Sequence, residues 1–379
     1  MLHAPELHEP LTDVQWDAER ARSAVRAIVA DVDRAYDADA FWPAEEWDAY
    51  EARLPLTDLF VGAAGLVWAL DRLRRDGHAE TALDLSTVAR RALERRREDR
   101  SPPSTNLPTP ARSSLFNGET GLGLVTWLLE PSDELATALL ALVRENIGNE
   151  ANELMWGVPG TLLAARVLHA RTREERWRAA VEESERALRD ERDADGLWTQ
   201  NLYGHSDRML GPIHGFVGNL AALGDVTGAA DVLARTAIVE DGHANWPPTI
   251  GSESKPRLQW CHGAPGILTT AVDYLDEELL LAGAELIWDA GPPLAEEKGA
   301  GLCHGTAGNG YALLKTFGRT GDELWLERAR AFAMHALAQV ERLPPRYSLF
   351  TGGVGAGLYA ADCLDARARF PIVDGLDTA

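Results

Sequence analysis

Two kinds of helical pattern alternate along this chain, and the strict alternation of a β-strand is scarce. The first kind is amphipathic. Residues 175–191 place Trp177, Val181, Ser184 and Leu188 on one stripe, with Arg and Glu around the rest. Residues 324–340 repeat the design with Trp325, Ala329, Phe332, Ala336 and Val340, and residues 81–97 with Leu85, Val88, Ala92 and Leu93. Apolar residues three and four apart share a helix face, so each segment predicts a helix with one buried side. A further helix is expected over residues 14–36. The second kind is apolar nearly all round: LVWAL (66–70), TLLAARVL (161–168), NLAAL (219–223), ILTTAV (267–272) and YALL (311–314). A helix without a polar face is enclosed on both sides. An inner and an outer layer of helices accounts for the alternation.

A G-x-x-G tetrad opens each enclosed segment. The seven are Gly62–Gly65, Gly118–Gly121, Gly157–Gly160, Gly215–Gly218, Gly263–Gly266, Gly305–Gly308 and Gly352–Gly355. Intervals of 56, 39, 58, 48, 42 and 47 residues between first glycines leave room for two helices and two loops. Glycine permits a sharp turn and close approach of helix ends. Pro159 and Pro265 fall inside two tetrads, where the first helical turn tolerates proline. Seven hairpins with enclosed first helices predict an all-α fold, a closed α/α barrel. An open solenoid would leave one side of the inner helices wet. Breaker clusters at 99–112, 241–257, 289–301 and 343–346 are expected as loops. The repeat continues across each, so residues 1–379 are expected as one domain, with 1–50 a helical segment leading into the barrel.

The 379 residues carry 37 Lys+Arg against 59 Asp+Glu, a net charge of −22, and only Lys255, Lys298 and Lys315 are lysines. That balance lacks the basic footprint of a nucleic-acid binder and is repelled by anionic membranes. No run approaches the ~18 apolar residues of a membrane span, and the acidic start has no secretory apolar stretch. Three cysteines make no disulfide framework. The cytoplasm is the expected compartment.

The residue before each tetrad is expected at one end of the barrel, near its axis. Those positions hold Val61, Asn117, Trp156, His214, His262, His304 and Thr351. One place further back, the fifth and sixth repeats supply Cys261 and Cys303, in equivalent slots 42 residues apart. Thiolates and imidazole are the ligands Zn²⁺ prefers. Cys261, Cys303 and His304 make a three-ligand zinc site whose fourth position stays open for an incoming thiol. His214 has no cysteine beside it; it is either a proton carrier facing the metal or a hydrogen-bonded core histidine. His262 is a fourth ligand, a partner to a ligand, or a rim residue. Cys363 is read as a small buried residue, and His78, His169 and His335 as structural or solvated residues on helix faces.

These residues resemble a known family. WCHGAPG (260–266) and CHGTAGNG (303–310) are similar to the zinc motifs of the lanthionine synthetase C-like (LanC) cyclases. GPIHGFVGN (211–219) resembles the family's histidine motif, NELMWGVPG (152–160) its third repeat, and SLFTGGVGAGLYAADCL (348–364) its closing repeat. The resemblance runs from about Leu59 onward. It implies a double-layered α/α toroid, seven inner helices within seven outer ones, with one Zn²⁺ on Cys261, Cys303 and His304. It implies addition of a peptide cysteine thiol to dehydroalanine or dehydrobutyrine, forming a lanthionine or methyllanthionine thioether. His214 matches the histidine assigned to acid–base work. The substrate would be a dehydrated precursor peptide, with a separate dehydratase as partner, because the chain carries no kinase, lyase or dehydratase region. Bacterial cyclases of the family place an aspartate just ahead of the third tetrad. Here Leu154 and Met155 stand there, and the nearest carboxylate is Glu153.

Tyr203 and Arg208 lie in the loop before His214, Trp156 and Trp260 are expected at the same rim, each as a substrate contact or as rim packing, and Asn309 is expected at a helix end. Three functions remain in competition. The first is a zinc-dependent thioether cyclase, or the same chemistry with a glutathione-like donor. The second is a non-catalytic zinc-containing scaffold that binds a peptide or a modifying enzyme. The third is a toroid glycosidase, which wants paired carboxylates that the tetrad-flanking positions do not offer.

Overall fold

Each of the seven tetrads begins a helix, and its first glycine is the residue that caps it. The computed structural model describes residues 2–13, 15–49, 54–98, 111–252 and 256–376. In chain order these form α1 (Ala18–Ala35), α2 (Ala63–Arg75), α3 (Leu85–Glu98), α4 (Glu119–Leu129), α5 (Asp133–Glu145), α6 (Val158–Thr172) and α7 (Glu175–Asp190). Then come the hairpin β1 (Gln200–Leu202) and β2 (His205–Asp207), α8 (Phe216–Leu223), α9 (Ala229–Thr236), and the hairpin β3 (Ile238–Glu240) and β4 (His243–Asn245). Last are α10 (Ala264–Thr270), α11 (Glu277–Ala290), α12 (Ala295–Lys298), α13 (Thr306–Thr320), α14 (Glu323–Arg342) and α15 (Gly353–Leu364).

Helices α2, α4, α6, α8, α10, α13 and α15 each touch the next, and α15 touches α2, which closes the ring. The tetrads explain how seven helix starts converge. A Cβ on the last glycine of any tetrad would lie 1.9 to 2.4 Å from the carbonyl oxygen six residues earlier. The chain folds back onto its own helix start there, and only glycine fits. Of the seven first glycines, Gly263 alone has a positive φ, 96°.

Outside the ring, α3, α5, α7, α11 and α14 lie against the inner helices that precede them. The seventh inner helix, α15, has no outer helix after it among the described residues. Its cover is α1, which buries Ala21, Val25, Val29 and Val32 and packs on α15 and α14. The toroid therefore closes by joining its first helix to its last.

Several boundaries differ from the pattern. Helix α3 starts at Leu85 because Asp84 accepts the Thr87 N–H and the Ser86 and Thr87 hydroxyls. This caps the helix four residues after the periodicity begins. Helix α1 starts at Ala18 behind the Asp17 cap; Val14 lies outside the described residues. Helix α10 ends at Thr270, and a 3₁₀ turn follows at Val272–Tyr274. The loops expected at 241–257 and 289–301 contain β4 and α12, respectively. The loop at 99–112 lies outside the described residues except for the turn Ala111–Ser113, and so does Lys255. No described helix is long and apolar enough to cross a membrane.

Candidate metal centre

The residues two places before each tetrad are Phe60, Phe116, Met155, Ile213, Cys261, Cys303 and Phe350. Backbone hydrogen bonds link many of them around the ring. Cys261 N–H donates to Cys303 C=O (3.2 Å), Cys303 to Phe350 (2.8 Å), Phe350 to Phe60 (3.2 Å), Phe60 to Phe116 (3.2 Å) and Met155 to Ile213 (3.2 Å). Phe60, Phe116 and Phe350 pack their rings together, with Phe60 stacked on Phe350 at 4.7 Å between centroids. On the opposite arc this belt carries the two cysteines, and its hydrogen bond brings them side by side.

The donor atoms of Cys261, Cys303 and His304 all lie within 4.8 Å of one another, and Cys303 Sγ is 3.7 Å from His304 Nε2. Both cysteines are buried and His304 is half-buried, so the group opens to one side. Gln259 Nε2 donates to Cys261 Sγ at 3.0 Å. Burial opposes charge on Cys261, but the Cys303 thiol and the imidazoles of His262 and His304 outweigh it and hold Cys261 well below the ordinary thiol range. Burial and the adjacent Cys261 push Cys303 the other way.

His214 is held by the carboxylate that stands nearest in the chain. Its Nδ1 is 2.8 Å from Glu153 Oε2. Glu153 is fully buried, and its two oxygens accept the backbone N–H groups of Met155 (3.0 Å) and Trp156 (2.6 Å). With the carboxylate as acceptor, Nδ1 carries a proton and Nε2 is the nitrogen left to exchange one. Burial lowers the His214 pKa. The hydrogen bond and charge of Glu153, with a smaller contribution from Cys261, reverse that and hold it above the ordinary histidine value.

His262 does not join the three-donor group. It is half-buried, its Nδ1 has no partner among the described residues, and burial keeps it below the usual histidine pKa. Tyr203, at φ 52° in the β1–β2 turn, is 43% exposed and sits edge-on to His214 at 6.3 Å. Its hydroxyl accepts Trp156 Nε1–H at 2.8 Å, and burial of that hydroxyl raises its pKa to about 12. Trp260 is a correction. It is fully buried below the mouth, stacked on Phe370 at 4.5 Å and 7°. Arg208 is committed to Asp193 and Asp195. Asn309 Nδ2 donates to Leu258 C=O at 3.1 Å, as a helix-end residue would.

Cys363 is buried, and its thiol is pushed well above the ordinary range by burial. His169 lies on α6. His335 is buried on α14 and bonded to Glu9 at 2.6 Å. His78 sits in the turn after α2 and not on a helix face, paired with Asp365 at 3.0 Å.

The pattern gave no warning of the segment between α1 and α2. Trp47, 57% exposed, stands edge-on to His304 at 5.6 Å, and the Arg346 guanidinium lies over its ring at 5.4 Å. Asp48 is buried beside it and accepts from Arg346 (2.7 and 2.5 Å) and from the Thr351 hydroxyl (2.9 Å). The only local hint was Thr351, which occupies the slot that holds histidine in three other repeats.

A model of the family described as lanthionine synthetase C-like protein matches residues 17–374. The chain belongs to the lanthionine synthetase C-like family. Among relatives, it is 36% identical over 141 residues to a Danio rerio protein named glutathione S-transferase LANCL1, covering 34% of each chain. It is 29% identical over 177 residues to the Arabidopsis thaliana LanC-like protein GCL1, covering 40% of each. The chain thus matches between a third and two fifths of these relatives' length. Among solved structures, nisin cyclase superposes with a TM-score of 0.59 at 15% identity, over 91% of this chain and 94% of that one. At that identity the likeness is one of fold, the α/α toroid.

The family is known for zinc, and the three side chains suit it. Zn–S bonds of about 2.3 Å and Zn–N bonds of about 2.0 Å put tetrahedral ligand atoms roughly 3.5 to 3.8 Å apart. The Cys303 Sγ to His304 Nε2 separation of 3.7 Å falls in that range. As thiolates, the two sulfurs would balance the charge of a divalent ion.

Proposed function

We propose that this protein adds a cysteine thiol of a peptide to a dehydroalanine or dehydrobutyrine in the same peptide, closing a thioether ring. The observation that carries the reading is the convergence of Cys261, Cys303 and His304 within 4.8 Å at one half-open mouth. These three residues would hold Zn²⁺, which would lower the pKa of an incoming thiol so that its proton passes to water near neutral pH. The thiolate sulfur bonds to the β-carbon of the alkene, and the electron pair of the double bond moves to the α-carbon as an enolate. His214 Nε2 delivers the proton to that carbon. Glu153 keeps the imidazole oriented and protonated through Nδ1. Addition leaves the peptide's composition unchanged. The dehydro residue must be made beforehand by a separate dehydratase that removes water from serine or threonine.

A second reading keeps the chemistry and changes the donor. The name of the Danio rerio relative favours a glutathione-type thiol added from solution. One experiment separates these from a non-catalytic scaffold. Purified protein is incubated with a dehydrated peptide bearing one free cysteine, with and without glutathione. Free thiol lost without a mass change is ring closure. A gain of one glutathione is the second reading. Neither change means a scaffold. Cys303→Ala should abolish turnover, and wild-type rates in that variant would refute the role of the centre.

A further inference from the structure

Four places before each tetrad stand Asp58, Ser114, Glu153, Gly211, Gln259, Gly301 and Ser348. At three of these seven positions a side-chain oxygen closes its own turn. Asp58 accepts the Phe60 and Val61 N–H groups (2.9 and 2.8 Å), Ser114 accepts Asn117 N–H (2.9 Å), and Glu153 accepts those of Met155 and Trp156. Gln259 breaks the pattern. Its side chain points a donor at a cysteine of the centre, Nε2 to Cys261 Sγ at 3.0 Å. The backbone holds it in place, because Gln259 and His262 exchange N–H···O=C bonds of 3.1 and 3.0 Å. Gln259 is also buried. A metal-bound thiolate only accepts hydrogen bonds, so the amide must present its nitrogen. A carboxylate, as at Asp58 or Glu153, would set like charge against the sulfur.

We propose that Gln259 is a positioning residue that keeps Cys261 a ligand and stops it from acting as a competing nucleophile. This rests on the thiol-addition reading above. A centre that presents a thiolate to an electrophilic alkene holds two sulfurs of its own beside it. If either adds to the alkene, the new C–S bond ties substrate to protein and ends turnover. An N–H donor withdraws electron density from a thiolate and so lowers its nucleophilicity, and partners of metal ligands typically tune affinity or activity 10- to 100-fold. Among the described residues Cys303 Sγ receives no such amide; the side-chain nitrogen bonded to it is His304 Nε2 at 3.7 Å, itself a ligand atom of the same group.

The test is limited alkylation of the zinc-loaded full chain with iodoacetamide, read by peptide mapping. In each event the sulfur bonds to carbon and iodide leaves. In the wild type, Cys303 should be modified ahead of Cys261. In Gln259→Leu, the Cys261 rate should rise about fivefold or more while Cys303 changes less than about twofold. In the isosteric Gln259→Glu, zinc affinity measured by chelator competition should fall about tenfold or more. An unchanged Cys261 rate in folded Gln259→Leu overturns the proposal, as does wild-type zinc affinity in folded Gln259→Glu. If the leucine variant does not fold, the glutamate variant decides. Wild-type protein that retains no zinc refutes the metal reading instead, and the Cys261 rates of metal-free wild type and Gln259→Leu then decide the role of the amide.

Discussion

Glu153 meets His214 across 61 residues of chain, and the pair sets the pH range of the proton donor. Burial alone would make His214 a weak base; the carboxylate holds its proton on. Glu153→Gln keeps the shape and removes the charge, so His214 should titrate about one pH unit or more lower. The alkaline limb of the pH–rate profile should shift down with it, and an unmoved limb would mean that His214 is not the acid. Stability follows the same sign. The raised folded pKa stabilises fully below the unfolded value of about 6.5 and fades as pH rises through the folded value. The chain pattern singled out Glu153 only as the nearest carboxylate. Its reach to His214 depends on the turn before the third tetrad, where the N–H groups of Met155 and Trp156 clamp it. The same kind of turn explains Trp260. In the fifth repeat the residue just before the tetrad, His262, stays half-buried, while Trp260 two residues earlier turns down into the core, and spacing alone does not separate them.

At the scale of elements, the two ends of the chain do what no repeat does. Helix α1 covers α15, after which no outer helix follows among the described residues. The segment after α15 turns back beneath the ring, where Leu376 C=O accepts Trp68 Nε1–H at 2.9 Å and Phe370 stacks on Trp260 and meets Tyr311 at 5.1 Å. Phe370 is fully enclosed. Phe370→Ala should therefore cost about 3–5 kcal/mol in urea unfolding. A loss under about 1 kcal/mol would mean that this segment is an appendage. The helix over residues 14–36 was legible from its pattern, but its partner was not. Apolar period tells that a face is buried, and carries no information on which distant helix buries it.

Across the whole molecule, one buried and two half-buried histidines contribute to the acid limit. His3, His8 and His335 are each held below the ordinary value chiefly by burial, although Glu9 pulls His335 upward. An unfolded histidine binds a proton near pH 6.5, and these bind one only at lower pH. Stability is therefore present above about 6.5 and drains as pH falls through the lower folded values. The salt-bridged Glu9 and Glu119, whose pKa values lie below the ordinary carboxylate range, lose their contribution in the same direction at lower pH. Urea midpoints should fall between pH 7 and 5, and His335→Gln should flatten that slope. A slope unchanged by the substitution would remove His335 from this account.

What the amino-acid order determined by itself is local: which stretches are helical, which of them are enclosed, and where seven backbones must pass too close for any side chain. Helix faces and glycine turns are settled within a few residues, by burial and by steric contact. The like slots of Cys261 and Cys303 were visible for the same reason. Tertiary structure alone decided how the ring closes through α1, how Glu153 reaches His214, how Trp47 and Asp48 come to the mouth, and why Gln259 faces a sulfur. Those pairings join residues from different repeats or depend on the exact course of one turn. They come into being only when the ring shuts and its backbone hydrogen bonds set neighbouring slots together.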